Sequence, residues 1–270
     1  MLAKTPKVGG VTAAMLILAG AAGVVPATMR AQDARDTRRD SPAAFSMVFF
    51  SAGSMHMDVS RLNEHFARTD LDPRNRPGFF ALSNDGYSVG LGGYGVVYDR
   101  LLLGAEYNSA DMGSESSPMG KTNQLTTSYA MGTVGYALWT TWKLNIAPFV
   151  GIGAGTAKLT LQSQGGSPGG NPLPDPTFDE IIASPGLEST VQGRYVIVQP
   201  GIALDYLFLR SGASTHGLTI GLRLASAISP NRTTWKYRGH GVYGGPDAGP
   251  TGGTVRIVVG YGGFRLPGAR

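Results

Sequence analysis

Cysteine is absent from the 270 residues, so no disulfide framework, thiolate nucleophile or cysteine-ligated metal can organise the chain. Charge is scarce as well: Asp, Glu, Lys and Arg together make up 15% of the residues, against about a quarter in ordinary globular domains. Beyond Val25 no apolar run approaches the roughly 18 to 20 residues that a spanning helix needs, so any integral membrane role of the remaining chain has to be carried by strands. Candidate bases are limited to His56, His65, His216 and His240. His65 with Ser60 and Glu64 is the most suggestive set, but on one helix Ser60 and Glu64 share a face while His65 points about 100° away from Glu64. No relay forms there, and neither an enzyme, a cofactor nor a metal site is expected. The segment Asp70-Leu71-Asp72-Pro73-Arg74-Asn75 lacks the glycine and terminal glutamate of a calcium-binding hand and reads as a polar turn.

What the chain has in excess is glycine, 40 residues, about twice the usual share. The glycines follow no three-residue repeat, and an apolar content of 42% is too high for a disordered chain. The formal net charge of +5 belongs partly to the first segment: residues 1–31 hold Lys4, Lys7 and Arg30 and no acid, and taking these from the 23 basic residues leaves 20 against 18 acidic ones. With no basic stripe interleaved with aromatics, nucleic acid is not an expected partner. Lys4 and Lys7 precede the apolar run Val11–Val25, and small-residue cleavage motifs follow at Val25-Pro26-Ala27 and Met29-Arg30-Ala31. This is the pattern of a signal peptide over 1–31, cleaved after residue 27 or 31, with an uncleaved anchor as the alternative. Residues 32–44 are polar and charged and read as a flexible tether.

The rule for the rest is set by Trp142 to Gly155. Trp142, Leu144, Ile146, Pro148, Val150, Ile152 and Ala154 fall on one side of an extended chain; Lys143, Asn145, Ala147, Phe149, Gly151, Gly153 and Gly155 fall on the other. Comparable alternation predicts strands at about 45–54, 85–98, 100–110, 124–139, 142–162, 191–209, 218–225 and 255–262, the first with its register blurred by Phe49-Phe50. Connections alternate in length, long after the first, third, fifth and seventh strands and short after the others, the third being the polar segment Asp111–Lys121. Asp58 or Ser60 caps a short amphipathic helix in the first long loop, where Val59, Leu62 and Phe66 recur at helical spacing. That helix could cover the barrel mouth, enter the lumen or lie in a membrane interface. Phe178–Ile182 offers a little local structure in the long loop after the fifth strand. Gly90-Leu91-Gly92-Gly93-Tyr94-Gly95 matches a dinucleotide fingerprint in letters only, because the alternation runs on to Val97 where a helix would have to begin.

Which side faces out follows from the charges. Glu106, Lys143, Asp205, Arg223 and Arg256 all lie opposite the aliphatics, so a closed sheet puts them in its lumen and the greasy face outside. A soluble lipocalin-like barrel would do the reverse. An unpaired lumen charge is costly, which predicts that Glu106 pairs with Arg223 or Arg256. Tyr98, Trp139, Trp142, Tyr206, Phe208 and Phe264 gather near the short-turn ends, where an interfacial girdle belongs. The fold expected is therefore all-β: an eight-stranded antiparallel up-and-down transmembrane barrel over 45–266 with a tail at 267–270.

The leader, the Ala147-Pro148-Phe149-Val150-Gly151-Ile152-Gly153-Ala154-Gly155 strand, the strand and loop plan and the glycine-aromatic last strand resemble the small outer-membrane β-barrel proteins of Gram-negative bacteria. They are similar to the transmembrane barrel of the outer membrane protein A family over most of 45–266. The resemblance implies residence in the outer membrane, contact with its lipid, and a barrel-insertion machinery as partner. That family ends on an aromatic residue, whereas here Phe264-Arg265-Leu266 runs on into Pro267-Gly268-Ala269-Arg270. A barrel of this size is filled by its own side chains, so the function expected is structural or a surface interaction. Recognition of an extracellular ligand by the long loops, with Trp235, Tyr237 and Tyr243 as stacking surface, is one alternative. A narrow ion channel, a soluble ligand-binding barrel and a lipid hydrolase are others.

Overall fold

The computed structural model describes residues 44–70, 78–97, 100–117, 120–141, 143–164, 176–210, 216–231 and 233–265. The leader, the tether to residue 43, the C-terminal tail, Tyr98 and Trp142 lie outside the described residues. Eight long strands follow one another: β1 Ala44–His56, β2 Asp85–Val97, β3 Leu101–Ser116, β4 Lys121–Tyr136, β5 Leu144–Ser163, β6 Glu188–Arg210, β7 His216–Ala227 and β8 Gly252–Arg265. Each pairs antiparallel with the next. β8 returns to β1, with Ala44 opposite Arg265 and Met55 opposite Thr254, and closes the ring. Closure leaves no free edge along the wall, which satisfies the backbone polar groups without solvent.

Several expectations change in detail. Phe49 and Phe50 do not break the pleat: Phe45, Met47 and Phe49 are buried inside while Val48 and Phe50 stand outside. The third connection is not a long loop. β3 continues to Ser116 and β4 begins at Lys121, with a bulge between Asp111 and Ser114 absorbing the glycine of Asp-Met-Gly. Composition alone marks these polar residues as loop, but a strand whose outer face meets water carries polar residues equally well. Three short strands, Trp139–Thr140, Thr234–Tyr237 and His240–Gly241, are added. The last two form a ribbon turned by Arg238 at φ 50 and Gly239 at φ 90, the pair of positive φ values that a primed hairpin turn needs. The expected helix is α1, Ser60–Asp70; the local structure expected at Phe178–Ile182 is α2, Phe178–Ala183, the second helix among the described residues.

The inside-out pattern covers only half of the wall. On β5 the outward residues from Leu144 to Ala154 are apolar, but past Gly155 the phase inverts: Ala157, Leu159 and Leu161 are fully buried inside, and Lys158, Thr160 and Gln162 face out. On β6 the change falls between Arg194 and Val196, on β4 between Ser128 and Ala130, and on β3 between Ser109 and Tyr107. These positions are in register, Ala154 opposite Ala130 and Val196, Ala130 opposite Tyr107. One row of register partners therefore divides β3 to β6, running obliquely because pairing round the closed, tilted wall returns to β1 ten residues further on. On its turn side the exterior is apolar; on its loop side the exterior is polar and the interior is an ordinary hydrophobic core.

α1 and α2 plug that loop-side core. Val59 just before α1, Leu62 and Phe66 on it, and Phe178, Ile181 and Ile182 of α2 are buried with Met112, Leu125, Leu159, Val191, Ile197 and Trp235. Of the three placements open for the first helix, it takes the mouth. The Ser60 hydroxyl, and the Ser60 amide that donates to Asp58 Oδ1 at 3.0 Å, hold the Asp58 carboxyl below the usual carboxylate range. Asn63 fastens the incoming loop by donating from Nδ2 to Leu82 O at 3.0 Å and accepting from the Leu82 amide at 2.8 Å. α2 starts with a capping box: Thr177 Oγ1 accepts from the Glu180 amide at 3.3 Å, and Glu180 Oε2 accepts from the Thr177 amide at 2.7 Å. The Thr177 amide bond, with the Thr177 hydroxyl donating to the same Oε2 at 2.9 Å, lowers the Glu180 carboxyl too.

Candidate functional site

Below the hydrophobic core the barrel interior becomes polar, because the inward pleat positions of β2, β3, β5, β6, β7 and β8 at this height are Tyr94, Glu106, Asn108, Asn145, Asp205, Arg223 and Arg256. Two buried ion pairs form. Arg256 Nη2 donates to Glu106 Oε1 at 2.8 Å, and Arg223 Nη1 to Asp205 Oδ1 at 2.7 Å. Both arginines are almost wholly enclosed. The open choice for Glu106 thus resolves to Arg256. Arg256 Nη1 also bonds Asn108 Oδ1, and Asn108 Nδ2 donates to Glu106 at 3.2 Å. On the other pair, the Tyr94 hydroxyl bonds Asp205 Oδ2, Asn145 Nδ2 donates to Tyr94 at 3.3 Å, and the Arg223 guanidinium lies over the Phe49 and Tyr94 rings at 5.3 and 5.4 Å. Lys143 is half-buried in the turn before β5, so the enclosed polar group that this strand supplies is Asn145.

The glycine fingerprint of β2 has its use here. A Cβ on Gly90 would collide with Asn108 Oδ1, and one on Gly92 would come within 2.7 Å of Glu106 Cβ and 2.9 Å of Phe49 Cζ. Bare inward positions on one strand make room for bonded side chains on the next. The layer is then full: the cavity beside Phe49, Tyr94, Glu106 and Arg223 holds about 20 Å³, room for about one water. Two cations and two carboxylates cancel, and the layer fills the lumen at this height.

The histidines are dispersed. His56 bonds Asp85 at 2.8 Å on the surface, and His216 and His240 are exposed strand residues. His65 is not a solvated helix residue. Its side chain is 14% exposed, its Nδ1 lies 2.5 Å from Asp179 Oδ1 of α2, and its ring meets Phe178 edge-on at 5.4 Å. It ties the two cap helices together, away from Ser60. Two of the three aromatics proposed as loop stacking surface are core residues: Trp235 and Tyr237 are buried, Trp235 Nε1 donating to Pro246 O at 2.6 Å, whereas Tyr243 is exposed. Of the expected aromatic girdle, Trp139, Tyr206 and Phe208 face outward at the turn side, and the Phe264 side chain lies outside the described residues. Sequence reading missed Tyr136 and Tyr261, also outward on that side, and Tyr87 near the dividing line. Strict alternation from Val134 and Val259 was the signal that could have found the first two.

No family model matches the chain, and no curated protein matches it. Among solved structures it is similar to the crystal structure of Ail, the attachment invasion locus protein of Yersinia pestis, at 8% identity and a TM-score of 0.41, covering 83% of this chain and 99% of that one. The complex of Ail with the heparin analogue sucrose octasulfate aligns at 7% identity and a TM-score of 0.41, over 82% and 97% of the two chains. At that distance the likeness transfers neither ligand nor activity.

Proposed function

We propose that this protein is an integral outer-membrane β-barrel with a structural or surface-interaction role and no chemistry of its own. One observation carries the reading: the outward apolar band that runs in register across neighbouring strands and gives way to polar residues at its loop-side end. From Leu144 to Ala154, at about 3.3 Å per residue and a tilt of about 40°, the band rises about 25 Å, the height of the lipid-facing band of such barrels. A soluble ligand-binding barrel would leave Phe50, Ile152, Ile257 and Tyr261 facing water at a large hydrophobic cost, and the filled septum leaves no ligand chamber. The same septum disfavours a channel. Export by the leader, lipid contact, the aromatic girdle and delivery by an insertion machinery belong to this proposal.

The test is fractionation. The exported protein is expected in the outer-membrane fraction, retained after carbonate washing, with a gel mobility that shifts on boiling; release by carbonate would refute the reading. Surface recognition remains the favoured activity, because the loop side is a packed cap held by the His65–Asp179 contact, with Tyr243 exposed on it.

A further inference from the structure

Tilted strands lay the outer wall out as a lattice. At a tilt of about 40°, each step to the next strand climbs about 3 Å and moves about 4 Å round the barrel, while each residue up a strand climbs about 2.5 Å and moves about 2 Å back. On that lattice the small outward residues of β2, β3 and β4 collect in one trough near the middle of the apolar band. Gly93, Ala105 and Gly132 are register partners in a row, and Gly95 and Ala130 stand about 8 Å below and above Ala105 on nearly the same vertical. Among the described residues nothing requires glycine at two of these positions. A Cβ on Gly132 would meet nothing within 4 Å, and one on Gly95 nothing nearer than Ser46 Cβ at 3.9 Å; neither glycine has a positive φ. The inward glycines differ, since a Cβ on Gly92 or Gly153 would collide with its neighbours. A bare position inside a strand weakens it and marks the close approach of another backbone.

The knobs beside the trough identify what approaches. Along β3 the outward neighbours of Ala105 are Leu103, 44% exposed, and the half-buried Tyr107. Two barrels side by side in one bilayer, related by a two-fold axis along its normal, cross their facing strands at about 80°, twice the tilt. With Ala105 on the axis, β3 of one copy then lies along the row Gly93, Ala105, Gly132 of the other. Tyr107, about 4 Å to one side and about 5 Å above, comes over Gly132 of the second copy; Leu103, as far to the other side and below, comes over its Gly93. Gly95 and Ala130 fall close to the axis, where the two walls touch. Large meets small at each level, and one patch serves both copies, as an isologous contact demands. Lipid chains are as apolar as these side chains, so association within a bilayer depends on close packing, which small residues permit. Resting on the membrane reading above, we infer that the β2–β4 face is a contact between two copies of this chain, Leu103 and Tyr107 of each filling the trough of the other. Toward the loop side Arg194 stands about 19 Å above Ala105 and about 2 Å from the axis, so its two copies repel there, where salt screens them.

The chain has no cysteine, so Ala105→Cys in the full-length protein puts one thiol on the axis, and Leu222→Cys puts one at a similar height on the far side of the wall. Each variant is reconstituted in phosphatidylcholine vesicles, recovered by flotation and treated with a membrane-permeant oxidant as the protein-to-lipid ratio is lowered. The Ala105→Cys dimer is expected to form about tenfold faster than the Leu222→Cys dimer, and faster at high than at low ionic strength. Gly132→Leu in the Ala105→Cys background fills the trough and should slow crosslinking about tenfold without altering the heat-shifted mobility, because its Cβ enters open space. Adding Tyr107→Ala gives the new leucine room and should restore the rate to within about threefold. Equal rates from the two thiols mean random collision and overturn the contact while leaving the barrel in the membrane. A rate that Gly132→Leu leaves unchanged overturns it as well. An Ala105→Cys thiol that stays reduced at every ratio assigns the trough to lipid chains, and one that crosslinks in whole outer membranes only to a different protein assigns it to that partner; both overturn the inference. Protein that fails to float with the vesicles overturns the membrane reading itself.

Discussion

Removing the charge of Glu106 while keeping its shape isolates what holds the septum together. Arg256 of β8 lies directly opposite Arg223 of β7, both pointing inward, and like charges so placed repel. Each is tolerated because it has its own carboxylate, Glu106 at 2.8 Å and Asp205 at 2.7 Å. Glu106→Gln leaves the Arg256 guanidinium fully enclosed beside a second one. Breaking a buried pair from one side costs about 3 to 5 kcal/mol, and because the amide oxygen still accepts a hydrogen bond we expect the lower end, about 3 kcal/mol. Adding Arg256→Met takes away the stranded cation, so the double variant should recover to within about 1 kcal/mol of wild type, the remainder being the donor that Asn108 Oδ1 loses. The assay is the urea midpoint for unfolding from lipid vesicles, followed by the boiled and unboiled gel mobilities. An unchanged midpoint in Glu106→Gln, or a double variant worse than the single, would refute the claim that the septum is balanced by pairs.

Val150→Arg places a charge on the outward face near the middle of the apolar band and should cost about 2 to 4 kcal/mol of folding in a bilayer, whereas a barrel in water would barely register it; the same urea titration decides. Trp235→Ala deletes a core ring that packs on Phe178 at 5.2 Å and should cost the cap about 3 to 5 kcal/mol. Limited proteolysis should then cut the cap while the heat-shifted band persists. The carboxyls of Asp58 and Glu180 are lowered by the bonds that cap α1 and α2, so their stabilisation is complete above the ordinary carboxylate range and is lost as pH falls through the depressed values. Amide exchange in both helices should quicken only in acid, and Glu180→Gln should remove most of that dependence from α2.

Much of this barrel is written in a period of two. Val150, Ile152, Ile202, Leu204 and Ile257 against Gly151, Ala203 and Arg256 state both that the chain is extended and which residues share a face, and the charges on the second face orient the wall. The same alphabet could have disclosed the dividing line, since β5 changes from apolar even positions to apolar odd ones at Ala157. Reading one phase along the whole strand hid it. Similarly, Asp111–Ser116 looks like loop by composition, and only pairing with Gln124, Asn123 and Thr122 reveals a strand with a wet exterior.

Sequence alone thus determined the eight long strands, the facing of most side chains along them and the presence of an amphipathic helix, because these depend on neighbours a few residues apart. Partnership was decided by closure. Glu106 and Arg256 are 150 residues apart in the chain, and choosing Arg256 over Arg223 requires β8 to return to β1 beside β2 and β3. The coupling of His65 to Asp179 and the burial of Trp235 and Tyr237 likewise arise from strand register and loop packing, long-range quantities that no local pattern encodes.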